Sequence, residues 1–290
     1  MVASNYRATV QYDGTDYSGF QIQPDKRTIQ GELERALQRV TQQFVRVAGA
    51  GRTDARVHAL GQVISFRANW SHGDQDLQRA MNAVLPGDIS LGNVAVADDR
   101  FHARFSALSR AYVYTIYNGP VRAPLLSRFT HHVERPLDLN AMAEAASELE
   151  GEHDFAAFGH PPVGDSTVRI VYRVGWRAGV PVWGNCFAPD CRKLLRFEIE
   201  ANAFLRRMVR RIVGTLLLVG GGSLTPAAFS EILESREIRR AGPPVPGSGL
   251  CLWRVRYDGD ERQDRLHGTG RDRRHVDTDE ERLLGDGGLA

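Results

Sequence analysis

Long hydrophobic runs are missing from this 290-residue chain. The longest apolar stretch, IVGTLLLVG at 212–220, is far shorter than the roughly 20 residues that a membrane-spanning helix needs. The first ten residues, MVASNYRATV, also lack the charged start and apolar core of a secretory signal. We therefore expect a cytoplasmic protein that has no association with a membrane.

Cysteine is scarce as well. Cys186, Cys191 and Cys251 are odd in number and irregularly spaced, as is typical of a reducing compartment rather than of a disulfide framework. NCFAPDC places two of them in a C-x4-C spacing, but no second Cys or His pair lies nearby. We therefore expect two ordinary thiols near a loop rather than a structural zinc site.

Known motifs for cofactor and hydrolase sites are absent too. The sequence has no Walker loop, no G-x-G-x-x-G after a predicted strand, no H-E-x-x-H and no G-x-S-x-G. The pair His131–His132 stands alone, and we expect it on the surface rather than around a metal. A reactive site in this chain is therefore expected to use Asp, Arg and Tyr, with no metal and no nucleotide cofactor.

Lysine occurs only twice, so almost all of the positive charge comes from arginine, which favours bidentate contacts with phosphates. The net charge of +2 combines an acidic tail at 259–290, which holds six Arg against nine Asp and Glu, with a body of net +5. A basic body favours a polyanionic partner. The tail lacks aromatic residues and cannot bury enough apolar surface to offset its ordering entropy, so we predict that it is disordered.

Strand and helix patterns alternate along residues 1–258. Alternation with a period of two predicts strands at 6–12, 61–66, 89–97, 110–117, 168–176, 194–200 and 250–258. Apolar stripes with helical spacing predict helices at 28–40, 74–85, 138–149 and 225–235, and a long helix from Ala203. Each half of this series contains a β-α-β unit followed by further helices and strands.

This order of elements predicts the α+β class, with two ferredoxin-like or RRM-like halves that share a mostly antiparallel sheet flanked by helices. The N-terminal half is placed at 1–105 and the C-terminal half at 106–258, followed by the tail at 259–290. Sheets of this kind leave one face open to a partner, as in RNA-recognition modules.

The segment AGAGRTDARVHALGQVISF at 48–66 places one acidic side chain among bases on a predicted turn. Asp54 is flanked by Arg52 and Arg56, whose positive charges favour the ionised carboxylate. An ionised carboxylate is the form that a nucleophile needs. A carboxylate on such a turn can also do no more than close an Asx-turn, so the local sequence leaves both roles open.

A predicted helix combines arginine with a wide apolar stripe. In ANAFLRRMVRRIVGTLLLVGGG at 201–222, the side opposite the stripe carries Arg206, Arg207, Arg210 and Arg211. This cationic side is either solvated, or it faces phosphates with one arginine turned inward to hold a catalytic carboxylate.

FHARFSALSRAYVY, which ends at Tyr114, interleaves bases with aromatic residues. The basic residues of this segment are His102, Arg104 and Arg110, and the tyrosines Tyr112 and Tyr114 follow them. Aromatic side chains on a strand usually belong to the core, but beside arginine they can instead stack on an extruded base. The segment is therefore a candidate for RNA binding as well as for core packing.

AGRTDARVHALGQVISF resembles the signature segment of the tRNA pseudouridine synthase A family, whose usual form is A-G-R-T-D-A-G-V-H-A. Seven further blocks resemble family blocks in the family order: YDGTDYSGFQIQ (12–23), TIQGELERAL (28–37), NAVLPGDI (82–89), FHARFSALSRAYVYTIYN (101–118), GEHDFAAF (151–158), ANAFLRRMVRRIVG (201–214) and GLCLWRVRYD (249–258). The likeness extends from residue 6 to residue 258, so it covers the predicted body.

The resemblance implies a pseudouridine synthase fold and an isomerase that converts uridine to pseudouridine in tRNA. The implied targets are uridines at tRNA positions 38, 39 and 40 in the anticodon arm, and the implied assembly is a homodimer without a cofactor. The competing hypothesis is a non-catalytic protein that binds structured RNA through the same basic and aromatic strands.

The resemblance also implies roles for individual residues. Asp54 falls on the family's catalytic aspartate, and Arg210 on the arginine that pairs with it. Tyr112 falls on the tyrosine that stacks on the target base and is a candidate for proton abstraction. The substrate-binding residues are expected to be Arg52, Arg56, His58, Arg104, Arg110, Arg206 and Arg207. Arg56 stands where the family usually has glycine; if that glycine serves a positive φ, Arg56 must strain or reshape the turn.

Overall fold

The computed structural model describes residues 3–161, 164–179 and 193–260. Two of the predicted features lie outside these ranges. They are the thiol pair Cys186 and Cys191, and the predicted tail from residue 261 onward.

In the described ranges the chain forms ten strands and five α-helices. The strands are β1 (Ser4–Tyr12), β2 (Val47–Gly49), β3 (His58–Ala68), β4 (Ile89–Val96), β5 (Ser109–Asn118), β6 (His131–Val133), β7 (Gly151–Asp154), β8 (Val168–Ala178), β9 (Leu194–Ala201) and β10 (Leu250–Arg256). The helices are α1 (Ile29–Thr41), α2 (Asp74–Val84), α3 (Leu139–Ser147), α4 (Met208–Gly220) and α5 (Pro226–Ser235). Each predicted strand and helix is present, and β2, β6 and β7 are short additions.

These strands belong to one sheet with the order β4-β1-β3-β10-β5-β9-β8-β7, in which β2 pairs with β3 and β6 pairs with β5. Among the described strands, the β10–β3 and β5–β6 pairs are parallel, and the other pairs are antiparallel. The predicted α+β class with a shared, mostly antiparallel sheet is confirmed. The last of the described strands, β10, lies between β3 and β5 and so joins the two series of strands.

The helices form two groups. Helices α1 and α2 contact each other, and they pack against β2 and β4 respectively, whereas α3, α4 and α5 contact one another and α3 also contacts β8. Helix α5 begins after Thr225, whose side chain accepts a hydrogen bond from the Ala228 N–H at 3.1 Å. Pro226 occupies the first helical position, as the sequence predicted.

Helix α4 begins later than predicted. The sequence favoured a helix from Ala203, but α4 starts at Met208. Arg207 has a left-handed backbone with φ of 63°, and the Arg206 N–H donates to the His160 carbonyl at 2.9 Å. A neighbouring segment therefore binds the backbone that precedes α4, and local periodicity does not reveal such a long-range bond.

His131 and His132 were expected on the surface, but both are half-buried in β6. The Nε2 atom of His132 lies 2.7 Å from the Gly119 carbonyl oxygen. The ring of His131 lies edge-on to Tyr114, and burial lowers the pKa of His131. Pairing of β6 with β5 accounts for this burial.

Within the part of the chain that the structure describes, every helix is too short or too polar to cross a membrane.

Candidate active site

Asp54 lies on the loop that connects β2 to β3. The buried side chain of Gln62 bonds to both backbone polar groups of Gly51: its Oε1 accepts from the N–H at 3.2 Å, and its Nε2 donates to the carbonyl at 2.7 Å. The Tyr12 hydroxyl lies 2.8 Å from the Thr53 hydroxyl, and both residues are buried. These contacts fix the backbone immediately before Asp54, so the carboxylate has a defined position.

The same loop packs closely against the turn that follows β1. A Cβ atom on Gly14 would lie 2.0 Å from the Val57 carbonyl oxygen, and one on Gly19 would lie 2.7 Å from the Thr53 carbonyl oxygen. Gly19 also has φ of +100°, a conformation that favours glycine. The Phe20 N–H donates to that Thr53 carbonyl at 3.0 Å. Glycine is therefore required at both positions for the two backbones to approach.

Arg210 on α4 forms an ion pair with Asp54. Its Nη1 lies 2.9 Å from Oδ2 of the carboxylate, and the two side chains are 17% and 29% exposed. The Nε of Arg210 donates to the Val245 carbonyl at 2.7 Å, which fixes the guanidinium plane. Among the described residues no hydrogen bond uses Oδ1 of Asp54, so this oxygen can meet a substrate.

Tyr112 on β5 lies beside this ion pair. Its hydroxyl is 3.5 Å from the point where a Cβ on Gly51 would lie, and its ring is perpendicular to that of Phe204 with centroids 5.1 Å apart. Burial raises the pKa of Tyr112; the charge of Arg110 opposes the shift, and the charge of Asp54 adds to it. The tyrosine is therefore a neutral phenol near pH 7, in electrostatic contact with the carboxylate.

The structure thus brings together the three residues expected to be catalytic. Seven residues were expected to bind substrate, and five of them have side chains that are accessible to solvent. Arg52, Arg56, Arg206 and Arg207 are exposed, and Arg104 is half-buried with its guanidinium 5.5 Å from the Phe105 ring centroid. The other two, His58 and Arg110, have different surroundings.

His58 is only 3% exposed. Its Nδ1 accepts a hydrogen bond from the Gly14 N–H at 3.1 Å and lies 3.2 Å from a carboxylate oxygen of Asp13. Its ring packs against Phe129. Burial lowers the pKa of His58, and the charge of Asp13 opposes this shift. In this environment the ring is a neutral packing group that links the two loops, and its side chain does not reach the surface.

Arg110 donates five hydrogen bonds to backbone carbonyls. Its Nε and Nη2 donate to Ala50 at 3.3 and 3.1 Å, Nη1 donates to Ala107 at 3.1 Å and to Asn202 at 2.9 Å, and Nη2 also donates to Arg104 at 2.5 Å. A guanidinium has five N–H groups in total. These bonds therefore account for the whole donor capacity of the side chain.

Arg56, which stands where the family signature usually has glycine, has a left-handed backbone. Its φ is 65°, and its N–H donates to the Tyr17 carbonyl at 3.3 Å. A residue with a Cβ in this left-handed region carries a cost of roughly 1–2 kcal/mol. The position therefore has a backbone that favours glycine, and the arginine places strain on the turn.

Replacing Arg56 with glycine is expected to stabilise the protein. Relief of the left-handed strain exceeds the added entropy of the unfolded glycine by about 1 kcal/mol. A gain of this size raises Tm by about 2–4 °C in a domain of this class. Thermal unfolding followed by circular dichroism measures the shift.

Asp25→Gly is the matched control, because Asp25 is exposed and also has a positive φ, of 54°. Its Tm should rise by less, because aspartate tolerates the left-handed region better than arginine does, and its affinity for tRNA should stay the same. A lower Tm for Arg56→Gly would mean that contacts of the arginine outweigh its backbone strain.

Several residues of this site were not singled out in the sequence. Gln62 and Tyr12 support the Asp54 loop, and the Val245 carbonyl orients Arg210. For Tyr12 the available signal was its place in YDGTDYSGFQIQ, one of the blocks that resemble the family. A polar residue at the centre of the apolar strand GQVISF was the signal for Gln62, because a buried amide needs partners.

The described residues contain no group of three or more His, Cys, Asp or Glu side chains that could hold a metal ion. The chemistry available at the site is that of one carboxylate, one guanidinium and one phenol.

Comparison with known proteins places this arrangement in a family. A model of the tRNA pseudouridine synthase family matches residues 8–106 and 145–258, which include Asp54 and Arg210. The tRNA pseudouridine synthase A of Chloroflexus aurantiacus is 48% identical over 248 residues, covering 85% of this chain and 86% of the relative. That of Brevibacillus brevis is 42% identical over 253 residues, covering 87% and 98%.

Solved structures are more distant. A chain of the archaeal box H/ACA sRNP Nop10–Cbf5 complex is 12% identical, with a TM-score of 0.30 over 73% of this chain and 53% of that one. This likeness is too weak to add to the assignment. The family model and the close relatives are sufficient: the chain belongs to the tRNA pseudouridine synthase A family.

Proposed function

We propose that this enzyme isomerises uridine to pseudouridine at positions 38, 39 and 40 in the anticodon stem-loop of tRNAs, with Asp54 as the nucleophile. The observation that supports the chemistry best is the half-buried ion pair between Asp54 and Arg210 beside Tyr112. Membership of the family supports tRNA as the substrate. The positions within the anticodon arm are those that the sequence resemblance implies.

The reaction breaks the N1–C1′ bond, turns the uracil within the site and forms a C5–C1′ bond, after which the C5 proton leaves and N1 takes up a proton. Atoms are neither gained nor lost. Oδ2 of Asp54 is held by Arg210, while Oδ1 is available to attack C1′ or the base, or to take the C2′ proton. All three routes use the same oxygen, and the guanidinium on the other oxygen holds the carboxylate in a fixed orientation.

The target base must leave its stack before it can reach Asp54. Extrusion of a base costs a few kcal/mol, and stacking on the ring of Tyr112 offsets roughly 1–3 kcal/mol of it. Only 8% of Tyr112 is exposed and its ring is fixed against Phe204, so the surface that it offers the uracil is small and preformed.

Phosphates on either side of the base are bound by the arginines at the site. We assign this role to the exposed side chains of Arg52, Arg56, Arg206 and Arg207, and to Arg104. Arg52 and Arg56 lie on the loop that carries Asp54, Arg206 and Arg207 directly precede α4, and Arg104 lies between β4 and β5. Family resemblance also supports a homodimer in the cytoplasm.

A mapping experiment tests the function. The full chain is incubated with an unmodified tRNA transcript that has uridine at 38, 39 and 40, and pseudouridines are located by carbodiimide adducts that stop reverse transcription. Stops are expected at these three positions and not in a transcript with cytidine there. Binding without any stop would favour the non-catalytic RNA-binding alternative, and stops only outside the anticodon arm would contradict the proposed target.

A further inference from the structure

We infer that Arg110 is a positioning residue that fixes the Asp54 loop relative to the segment leading into α4, and that it does not contact RNA. This inference rests on the proposed role of Asp54. It differs from the substrate contact expected for Arg110 from the sequence.

The bonds of Arg110 converge from three separate segments. Ala50 opens the loop that carries Asp54. The second segment is the connection between β4 and β5, where two carbonyls accept. The third, at Asn202, leads from β9 toward the helix that carries Arg210. One side chain therefore ties together the backbones that hold both members of the catalytic ion pair.

The strand that carries Arg110 is itself rigid. Residue 110 pairs with Val255 of β10 on one side and with Ala201 of β9 on the other. Strand β5 thus lies in the interior of the sheet, and it also presents Tyr112 two residues later. Because β5 is held on both sides, the bonds of Arg110 fix the positions of the loops relative to the sheet.

Only arginine can make this set of bonds. Its planar fork carries five N–H groups in a fixed geometry, whereas a lysine ammonium has three on one atom. The partners of the half-buried guanidinium among the described residues are carbonyl dipoles, and burial lowers the pKa of Arg110. A phosphate could bind only by replacing one of these bonds, because no N–H is left over.

Arg110→Lys and Arg110→Met are therefore expected to lower kcat at saturating tRNA by about 10²-fold, since displacements of about 1 Å in a catalytic group have effects of this size. The Kd for tRNA and its dependence on salt should not change. A direct phosphate contact predicts the opposite for Arg110→Met, which removes the positive charge: a higher Kd and a slope of log Kd against log salt that is smaller by about 0.7–0.9.

Two other variants calibrate the measurement. Arg169→Met removes a half-buried arginine that donates to the carbonyls of Ser166 and Val168 in its own segment, so kcat should stay at the wild-type value. Arg52→Met removes an exposed arginine from the site and should raise Kd and reduce the salt slope. Circular dichroism and thermal unfolding confirm that each variant is folded.

The outcomes are distinct. A reduced kcat with unchanged Kd and salt slope supports the positioning role. If Arg110→Met does not fold, the kcat of Arg110→Lys is the deciding measurement. A raised Kd with a smaller salt slope, or full kcat in Arg110→Lys, overturns it. Turnover by Asp54→Asn would instead overturn the proposed function, and the two failures are separated by which variant shows the unexpected result.

Discussion

Asp54→Asn should abolish pseudouridine formation while tRNA binding persists. The amide has nearly the size of the carboxylate, so the loop and its bonds to Gln62 and Tyr12 are preserved. It has no anionic oxygen, and loss of a nucleophile reduces kcat by on the order of 10⁴-fold or more. Single-turnover kinetics with radiolabelled tRNA measure the rate, and filter binding measures the Kd.

Asp154→Asn is the matched control. Asp154 is a half-buried carboxylate whose Oδ2 lies 3.4 Å from Arg236, so the substitution also removes one charge of an Asp–Arg pair, and this pair involves neither Tyr112 nor Arg210. Its turnover should equal that of the wild type. If Asp54→Asn turned over at a comparable rate, Asp54 would not be the nucleophile, and another group would have to be sought.

Local patterns predicted the elements of this fold, because period-2 and helical spacing are written into adjacent residues. They did not predict that β10 would lie between β3 and β5. Its parallel pairing with β3 at Cys251 and Leu252 joins residues almost 200 positions apart along the chain. Sequence spacing contains no record of such a pairing, and the shift in the start of α4 has the same origin.

The site shows the same division. The family resemblance pointed to Asp54, Tyr112 and Arg210, and the folded chain brings these three side chains together, while their catalytic roles stay predictions. The sequence could not distinguish Arg110 from the exposed arginines. Residue type does not reveal that backbone carbonyls of three segments accept hydrogen bonds from all of the N–H groups of this guanidinium. The burial of His58 was hidden for a similar reason: Gly14 and Phe129 reach it only in the folded chain.

Arg210→Met is expected to lower kcat by about 10²–10³-fold, as the loss of one charge-stabilising donor does in other enzymes. The guanidinium is the partner of Oδ2 in the described structure, and without it the half-buried carboxylate has no opposite charge in contact. Arg210→Lys should have an intermediate rate, because it restores the charge but not the bond that Nε makes to Val245. Kinetics at saturating tRNA separate this effect from binding.

Arg211→Met separates catalysis from the structural role of α4. Arg211 is the next residue on the helix and donates to the Gly242 carbonyl at 3.3 Å, much as Arg210 donates to Val245. Both variants lose one bond between α4 and the segment that precedes β10, and Arg210→Met also leaves the half-buried Asp54 carboxylate unpaired, so its Tm should fall at least as far as that of Arg211→Met. Only Arg210 also holds Asp54, so only Arg210→Met should lose turnover. Equal losses of turnover in both variants would mean that packing of the helix, rather than the ion pair, limits the reaction.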